Sequence, residues 1–166
     1  SSFHWVTRIW VFIRKEKAMS KYPKKYMSWD DIDRHAFYIV KQMKEDGFKP
    51  DMIIGLARGG LPPAVLLSNH LSIPLLTVDI SFRDGMVASS PWPAIKKKLT
   101  YLVLDDINDS GKTFDYINTY LTTRNITFKT AAIISKKSSK FTVDYEGQMQ
   151  YNDSWIVYPW ERVNYE

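Results

Sequence analysis

Apolar positions recur with two different periods along the chain, and their alternation predicts a layered α/β domain. Ile32, Ala36, Ile39, Val40 and Met43 are spaced as one buried stripe of a helix. Ser28 precedes them as an N-cap, and Asp30, Asp31 and Asp33 place carboxylates at the positive end of the helix dipole. Gly47 before Pro50 ends the helix. Met52, Ile53 and Ile54 predict a short buried strand running into Gly55, Leu56, Ala57, Arg58, Gly59 and Gly60. Pro62 and Pro63 suit the first turn of a second helix that reaches Leu71. Further strands are predicted over 75–80, 101–104, 130–134 and 155–158, and a third helix over 111–124 buries Phe114, Ile117 and Leu121. Such an order implies a mainly parallel central sheet with helices on both faces, whose ligands gather beyond the carboxyl ends of the strands.

Two stretches break the rhythm. Residues 82–98 carry Gly85, Ser89, Ser90, Pro91 and Pro93 without clear periodicity, and loops of that length are usually functional. A mobile lid over 82–98 is expected; the alternative is an excursion with a helical turn at 95–98. Residues 1–18 form an apolar arm around Trp5, Val6, Ile9, Trp10, Val11, Phe12 and Ile13, interrupted by Arg8. The arm is too short to span a bilayer. Its basic residues Arg14, Lys15 and Lys17 follow the apolar run, the wrong order for a signal peptide. It reads as a segment packed on the domain or on a neighbouring subunit, or else as an arm at a membrane interface. Met19 is a candidate internal start, which leaves 19–166 as the domain.

Composition narrows the classes. A chain of 166 residues suits one domain, and 45% hydrophobic with 25% charged residues argues against disorder. The absence of Cys excludes disulfides, thiolate metal sites and a Cys nucleophile, and fits a cytoplasmic location. A net charge of +5 suggests an anionic ligand without requiring nucleic acid. His4, His35 and His70 are scattered, which argues against a histidine metal site or triad.

The strongest chemical signal is Leu102, Val103 and Leu104 followed by Asp105, Asp106, Ile107, Asn108, Asp109, Ser110, Gly111, Lys112 and Thr113. A buried strand runs into two acids, and a Ser/Gly/Thr turn opens a helix. Bare N–H groups at that helix start, with the Ser110 and Thr113 hydroxyls, make a phosphate cradle. A nucleotide P-loop requires glycine where Asp106 stands, so that reading fails. Paired carboxylates repel a polyphosphate lying directly against them but accept from a sugar diol or hold Mg²⁺. A phosphate cradle beside diol-accepting acids points to a phosphorylated sugar. Ala57, Arg58, Gly59 and Gly60 form a second candidate anion loop, with close backbone approach and a guanidinium fork.

The run from Leu102 to Thr113 resembles the phosphoribosyl-pyrophosphate (PRPP) motif of type I phosphoribosyltransferases. The resemblance implies the type I phosphoribosyltransferase fold with a small C-terminal base-binding region. It implies that Asp105 and Asp106 meet the ribose hydroxyls, that Asp106 meets Mg²⁺, and that residues 109–113 hold the 5′-phosphate. Arg58, Gly59 and Gly60 are similar to the family's pyrophosphate loop, which often carries a cis peptide where Ala57 and Arg58 stand here. Ile133, Ile134, Ser135 and Lys136, together with the run from Trp155 to Glu161, resemble the base-binding elements of xanthine–guanine and hypoxanthine enzymes. Lys136 would donate to the purine 6-oxo group, Trp155 would stack on the ring, and the Ile156 backbone would read its edge. Asp109 would be the general base or the N7 partner.

The similarity covers roughly residues 26–162. It departs at Phe82, where relatives often carry Tyr after Ser, and over the lid, where Trp92, Lys96, Lys97 and Lys98 find no clear counterpart. The expected function is transfer of a phosphoribosyl group from PRPP to guanine, xanthine or hypoxanthine in purine salvage, with pyrophosphate released. The expected protein is a homo-oligomer that binds PRPP and a purine base, with no nucleic acid and no transmembrane segment. Two rivals stand beside it: a regulator that keeps the PRPP fold and binds nucleic acid, for which Lys136, Lys137 and Lys140 are the basic patch, and a transferase for another base such as a pyrimidine.

Overall fold

The computed structural model describes residues 21–162, so the expected arm over 1–18 lies outside the described residues. Contacts divide the chain into two units, residues 30–151 and a smaller one from the segments before 30 and after 151.

In the larger unit, α1 (Trp29–Glu45) begins directly after Ser28 and buries Ile32, His35, Ala36, Ile39, Val40 and Met43. The stripe is the expected one, with His35 added to it. Three central strands, β2 (Met52–Ala57), β5 (Thr100–Asn108) and β6 (Thr127–Lys136), form one parallel block with β3 (Leu75–Arg83). The full sheet has the order β4-β3-β2-β5-β6-β7, with β4 (Met86–Ser89) antiparallel and β7 (Tyr145–Gln150) parallel. Helices α2 (Leu61–Leu71) and α3 (Lys112–Thr123) complete the unit.

The two helical layers can be read from what the strands touch. Ile54, Leu56, Val78, Tyr101 and Val103 pack in one cluster with Phe114, Ile117 and Leu121 of α3. On the other face, a side chain at Gly55 would meet the Ala64 methyl and Leu61 of α2, and one at Gly147 would meet His35 of α1. Tyr101, Leu102, Val103 and Leu104 are fully buried, as the apolar run predicts for a central parallel strand.

Two expectations change. The segment 82–98 is partly regular: Asp84 and Gly85, both at positive φ, turn β3 back into β4, with Arg83 opposite Met86. Asp-Gly between two extended runs is a hairpin signal. Further on, Trp92 stacks on Tyr120 of α3 with centroids 3.9 Å apart, and the Lys96 N–H donates to the Tyr101 hydroxyl at 2.9 Å. The predicted strand over 101–104 is also longer, and the acids Asp105 and Asp106 lie within β5.

The smaller unit pairs β1 (Lys24–Tyr26) in parallel with β8 (Trp155–Val157), Lys24 opposite Trp155. Trp155 N–H donates to Pro23 O at 2.7 Å, and Met27 N–H to Val157 O at 2.9 Å. A 3-10 turn over Pro159–Glu161 follows, and the Trp160 ring lies 4.7 Å from that of Tyr158 and 5.8 Å from that of Trp29.

Candidate active site

Two adjacent strand ends build the centre of the site. After β2 the chain turns through Arg58, Gly59 and Gly60, and the Ala57–Arg58 peptide is cis. Gly60 N–H donates back to Leu56 O at 2.9 Å and Leu61 N–H to Arg58 O at 3.1 Å, which starts α2 at once. Both glycines are required by proximity. A side chain at Gly59 would overlap the Asp106 carboxylate, and one at Gly60 would lie 2.8 Å from Leu104 O. The loop after β2 is therefore pressed against the acids of β5, as adjacency of β2 and β5 in the sheet dictates.

The acid pair is electrostatically crowded. Asp106 N–H donates to Asp105 Oδ1 at 2.8 Å. Burial first, and then the neighbouring Asp106 charge, push the Asp105 carboxyl well above the usual carboxylate range. A pair in that state is suited to receive hydroxyl donors or a hard cation, either of which relieves the repulsion. No cluster of three or more His, Cys, Asp or Glu capable of holding a metal occurs among the described residues. The donor set fits Mg²⁺ in the manner that ion prefers, through one or two carboxylates with the remaining ligands from water and substrate phosphates.

Beyond the pair, Asp109, Ser110, Gly111, Lys112 and Thr113 lead into α3. Gly111 adopts φ 92°, a backbone conformation that favours glycine. Asp115 N–H donates to Gly111 O, and Lys112 N–H reaches Ser110 Oγ at 3.4 Å, while the first turn of any helix has N–H groups without an intrahelical acceptor. A cavity of about 440 Å³ lies here, lined by Ser110, Gly111 and Lys112 on one side and Ser138, Lys140 and Phe141 on the other, with Asp115 beside them.

Lys136 ends β6, the strand paired with β5, and its Nζ lies 3.0 Å from Asp109 Oδ1. The Lys136 side chain is 20% exposed and that of Asp109 63%, so the pair is open to solvent and exchangeable. The sequence assigns both residues to one ligand group, and the structure brings them together. Trp155 stands half-buried on β8, and Ile156 is buried beside it. Sequence reasoning missed Asn108. It stands in the run from Leu102 to Thr113 without an assigned role, yet it is 1% exposed and hydrogen-bonded on both sides of its amide.

A parallel α/β unit with adjacent anion loops at two strand ends defines a protein that handles phosphorylated small molecules. A family model described as a phosphoribosyl transferase domain matches residues 27–161, and the chain belongs to that family. It is similar to a xanthine-guanine phosphoribosyltransferase of Cereibacter sphaeroides, 30% identical over 151 residues that cover 82% of this chain and 86% of that protein. Among solved structures, a purine phosphoribosyltransferase of Pyrococcus horikoshii superposes with a TM-score of 0.75 at 33% identity, covering 86% of this chain and 97% of that one. The xanthine-guanine-hypoxanthine phosphoribosyltransferase of Helicobacter pylori matches the fold, with a TM-score of 0.75 at 24% identity over 83% of this chain and 94% of that one.

Proposed function

We propose that this chain transfers the phosphoribosyl group of PRPP to a 6-oxopurine, giving a nucleoside 5′-monophosphate and pyrophosphate. The observation that carries the reading is the Asp105–Asp106 pair, pressed against Gly59 on one side and followed by the 109–113 phosphate cradle on the other. Family membership and the purine-specific relatives support it.

Positive charge develops on the ribose ring as the bond from C1′ to pyrophosphate breaks, so catalysis is chiefly electrostatic placement. Asp105 and Asp106 accept from the ribose hydroxyls and oppose that charge. Arg58 and the backbone of Gly59 and Gly60 hold the pyrophosphate. Asp106 would hold Mg²⁺, which when bound offsets charge on the leaving pyrophosphate. Ser110, Gly111, Lys112 and Thr113 grip the 5′-phosphate. Asp109 takes the proton of the incoming base or fixes its N7, and Lys136 leaves Asp109 to donate to the 6-oxo group. Trp155 stacks on the base and the Ile156 backbone reads its edge. Movement within residues 82–98, at the β3–β4 hairpin before Ser90, excludes water, which otherwise hydrolyses PRPP. Among the described residues no helix is long and apolar enough to cross a membrane, and a cytoplasmic homo-oligomer is part of the same reading.

Pyrophosphate release measured with PRPP, Mg²⁺ and a panel of bases tests the proposal. Turnover with guanine, xanthine or hypoxanthine, turnover with adenine slower by roughly 10²-fold or more, and none with uracil or orotate, are expected; turnover only with a pyrimidine, or with no base, refutes it. Asp109→Asn should lower kcat by roughly 10²-fold while KM for PRPP changes less than threefold, the order expected of a proton-transfer group. Equal loss in both parameters removes that role.

A further inference from the structure

We propose that Asn108 is a positioning residue whose buried amide holds residues 137–141 against the phosphate-binding turn, so that Lys140 and Ser138 form the second wall of the phosphate pocket. The proposal rests on the reading of 109–113 as the 5′-phosphate cradle and adds residues to it from a different part of the chain.

Asn108 ends a strand whose core, Tyr101 through Leu104, is fully buried, and an amide at such depth is unfavourable unless its polar atoms are satisfied. Here they are. The Asn108 amide nitrogen donates to Ser135 Oγ at 3.0 Å and to Phe141 O at 2.8 Å, and its oxygen accepts from Ser139 Oγ at 2.8 Å. Every one of these partners lies on β6 or on the turn that follows it. The same turn is fixed from the cradle side, where Lys140 N–H donates to Ser110 O at 3.2 Å. Gly111 packs so closely that a side chain there would lie 2.7 Å from Phe141 N and 2.8 Å from Ser139 Oγ. From the helix side, the Phe141 ring stacks on Phe114 with centroids 5.6 Å apart.

What this fixed turn presents to the cavity is Ser138, Lys140 and Phe141, facing the Ser110, Gly111 and Lys112 wall. A phosphoryl group held by the cradle alone leaves its far side to water. Lys140 is exposed and takes part in no ion pair among the described residues, and with Lys112 it outweighs the single carboxylate of Asp115. An apolar side chain at position 108 would leave Phe141 O and Ser135 Oγ without these donations and would free the turn to move. Asn108 therefore acts on the ligand through Lys140 and touches no reacting atom.

A double-mutant cycle read by calorimetric titration with guanosine 5′-monophosphate tests this, with guanosine as the phosphate-free control. Lys140→Ala and Asn108→Val should each weaken the nucleotide about 10-fold, the scale of one charge-assisted hydrogen bond, and leave guanosine unchanged. The double variant should be no more than about twofold weaker than Asn108→Val, because both changes remove the same contact. Effects that multiply to about 100-fold, or nucleotide binding by Lys140→Ala equal to that of the unaltered chain, overturn the proposal. Ser139→Ala, which removes a partly exposed hydroxyl that donates to Asn108 Oδ1 and exchanges hydrogen bonds with the Phe141 backbone, takes the place of Asn108→Val in the cycle if the latter does not fold. An unaltered chain that fails to bind the nucleotide refutes the function proposed above; normal binding with indifferent variants refutes only the positioning role.

Discussion

At the end of the sheet where its strands begin, Asp46 accepts from Lys129 Nζ and from the Tyr145 hydroxyl, both at 2.5 Å. Nearby, Asp51 accepts from Thr100 N–H at 2.8 Å, and Asp144 from the Thr130 N–H and hydroxyl. At the opposite end, Asp105 and Asp106 crowd each other, and Asp109 holds Lys136 in a pair open to solvent. The hydrogen bonds from Lys129 and Tyr145 hold the Asp46 carboxyl below its usual range, whereas burial and a like charge raise that of Asp105. One sheet thus carries acids held by cationic and hydroxyl donors at one end and a crowded acid pair beside a solvent-open ion pair at the other. The first arrangement supports folding, and the second is the one the proposed function assigns to binding.

Substitution at each end should separate these roles. The largest effect is expected for Asp106→Asn, which should lower kcat/KM by roughly 10³-fold while raising Tm by about 2 °C, since it removes charge repulsion along with a ligand group. Steady-state rates beside scanning calorimetry read both, and a fall in Tm would show that the acid supports the fold. Lys136→Ala should narrow the preference for 6-oxo over 6-amino purines by about 10- to 100-fold, measured as the ratio of kcat/KM for hypoxanthine and adenine. An unaltered ratio takes Lys136 out of base recognition. The smallest change belongs to Asp46→Asn at the satisfied end: Tm about 2 °C lower at neutral pH, with kcat/KM within twofold of the unaltered chain. Its sign with pH follows from the direction of the shift. A carboxyl whose pKa is lower in the folded chain contributes stability above its unfolded pKa and loses it as pH falls through the folded value. The gap in Tm between the two proteins should therefore close in acid; a gap that widened there would contradict the Asp46–Lys129 account.

Much of this arrangement was legible in the chain because it is written in local pattern. The stripe from Ile32 to Met43, the apolar run before Asp105 and the Ser-Gly-Lys-Thr turn each specify their element without help from elsewhere. What escaped depends on pairing over distance. Lys24, Lys25 and Tyr26 form a strand through parallel pairing with β8, and nothing in three exposed residues predicts that. Strand β7 reads as polar, with Gly147 placed where His35 leaves no room for a side chain. The Asp84-Gly85 turn was readable but sat inside a stretch whose prolines and serines suggested irregularity. Asn108 was hidden for a different reason: its partners Ser139 and Phe141 are about thirty residues away in sequence, and only the folded sheet brings them to it.

The mooring of Trp92 limits how the neighbouring hairpin can travel. Its ring stacks on Tyr120, which also meets the Arg124 guanidinium at 3.5 Å and the Tyr116 ring, and Ser90 is tied to Asp79 through both its N–H and its hydroxyl. Phe82 packs against the same core and against Tyr116, so any swing of this region is confined to a short flap over 83–89. An indole at position 92 would then be a stationary beacon, and a reporter placed at Met86, 74% exposed at the tip, is the one that would register the stroke.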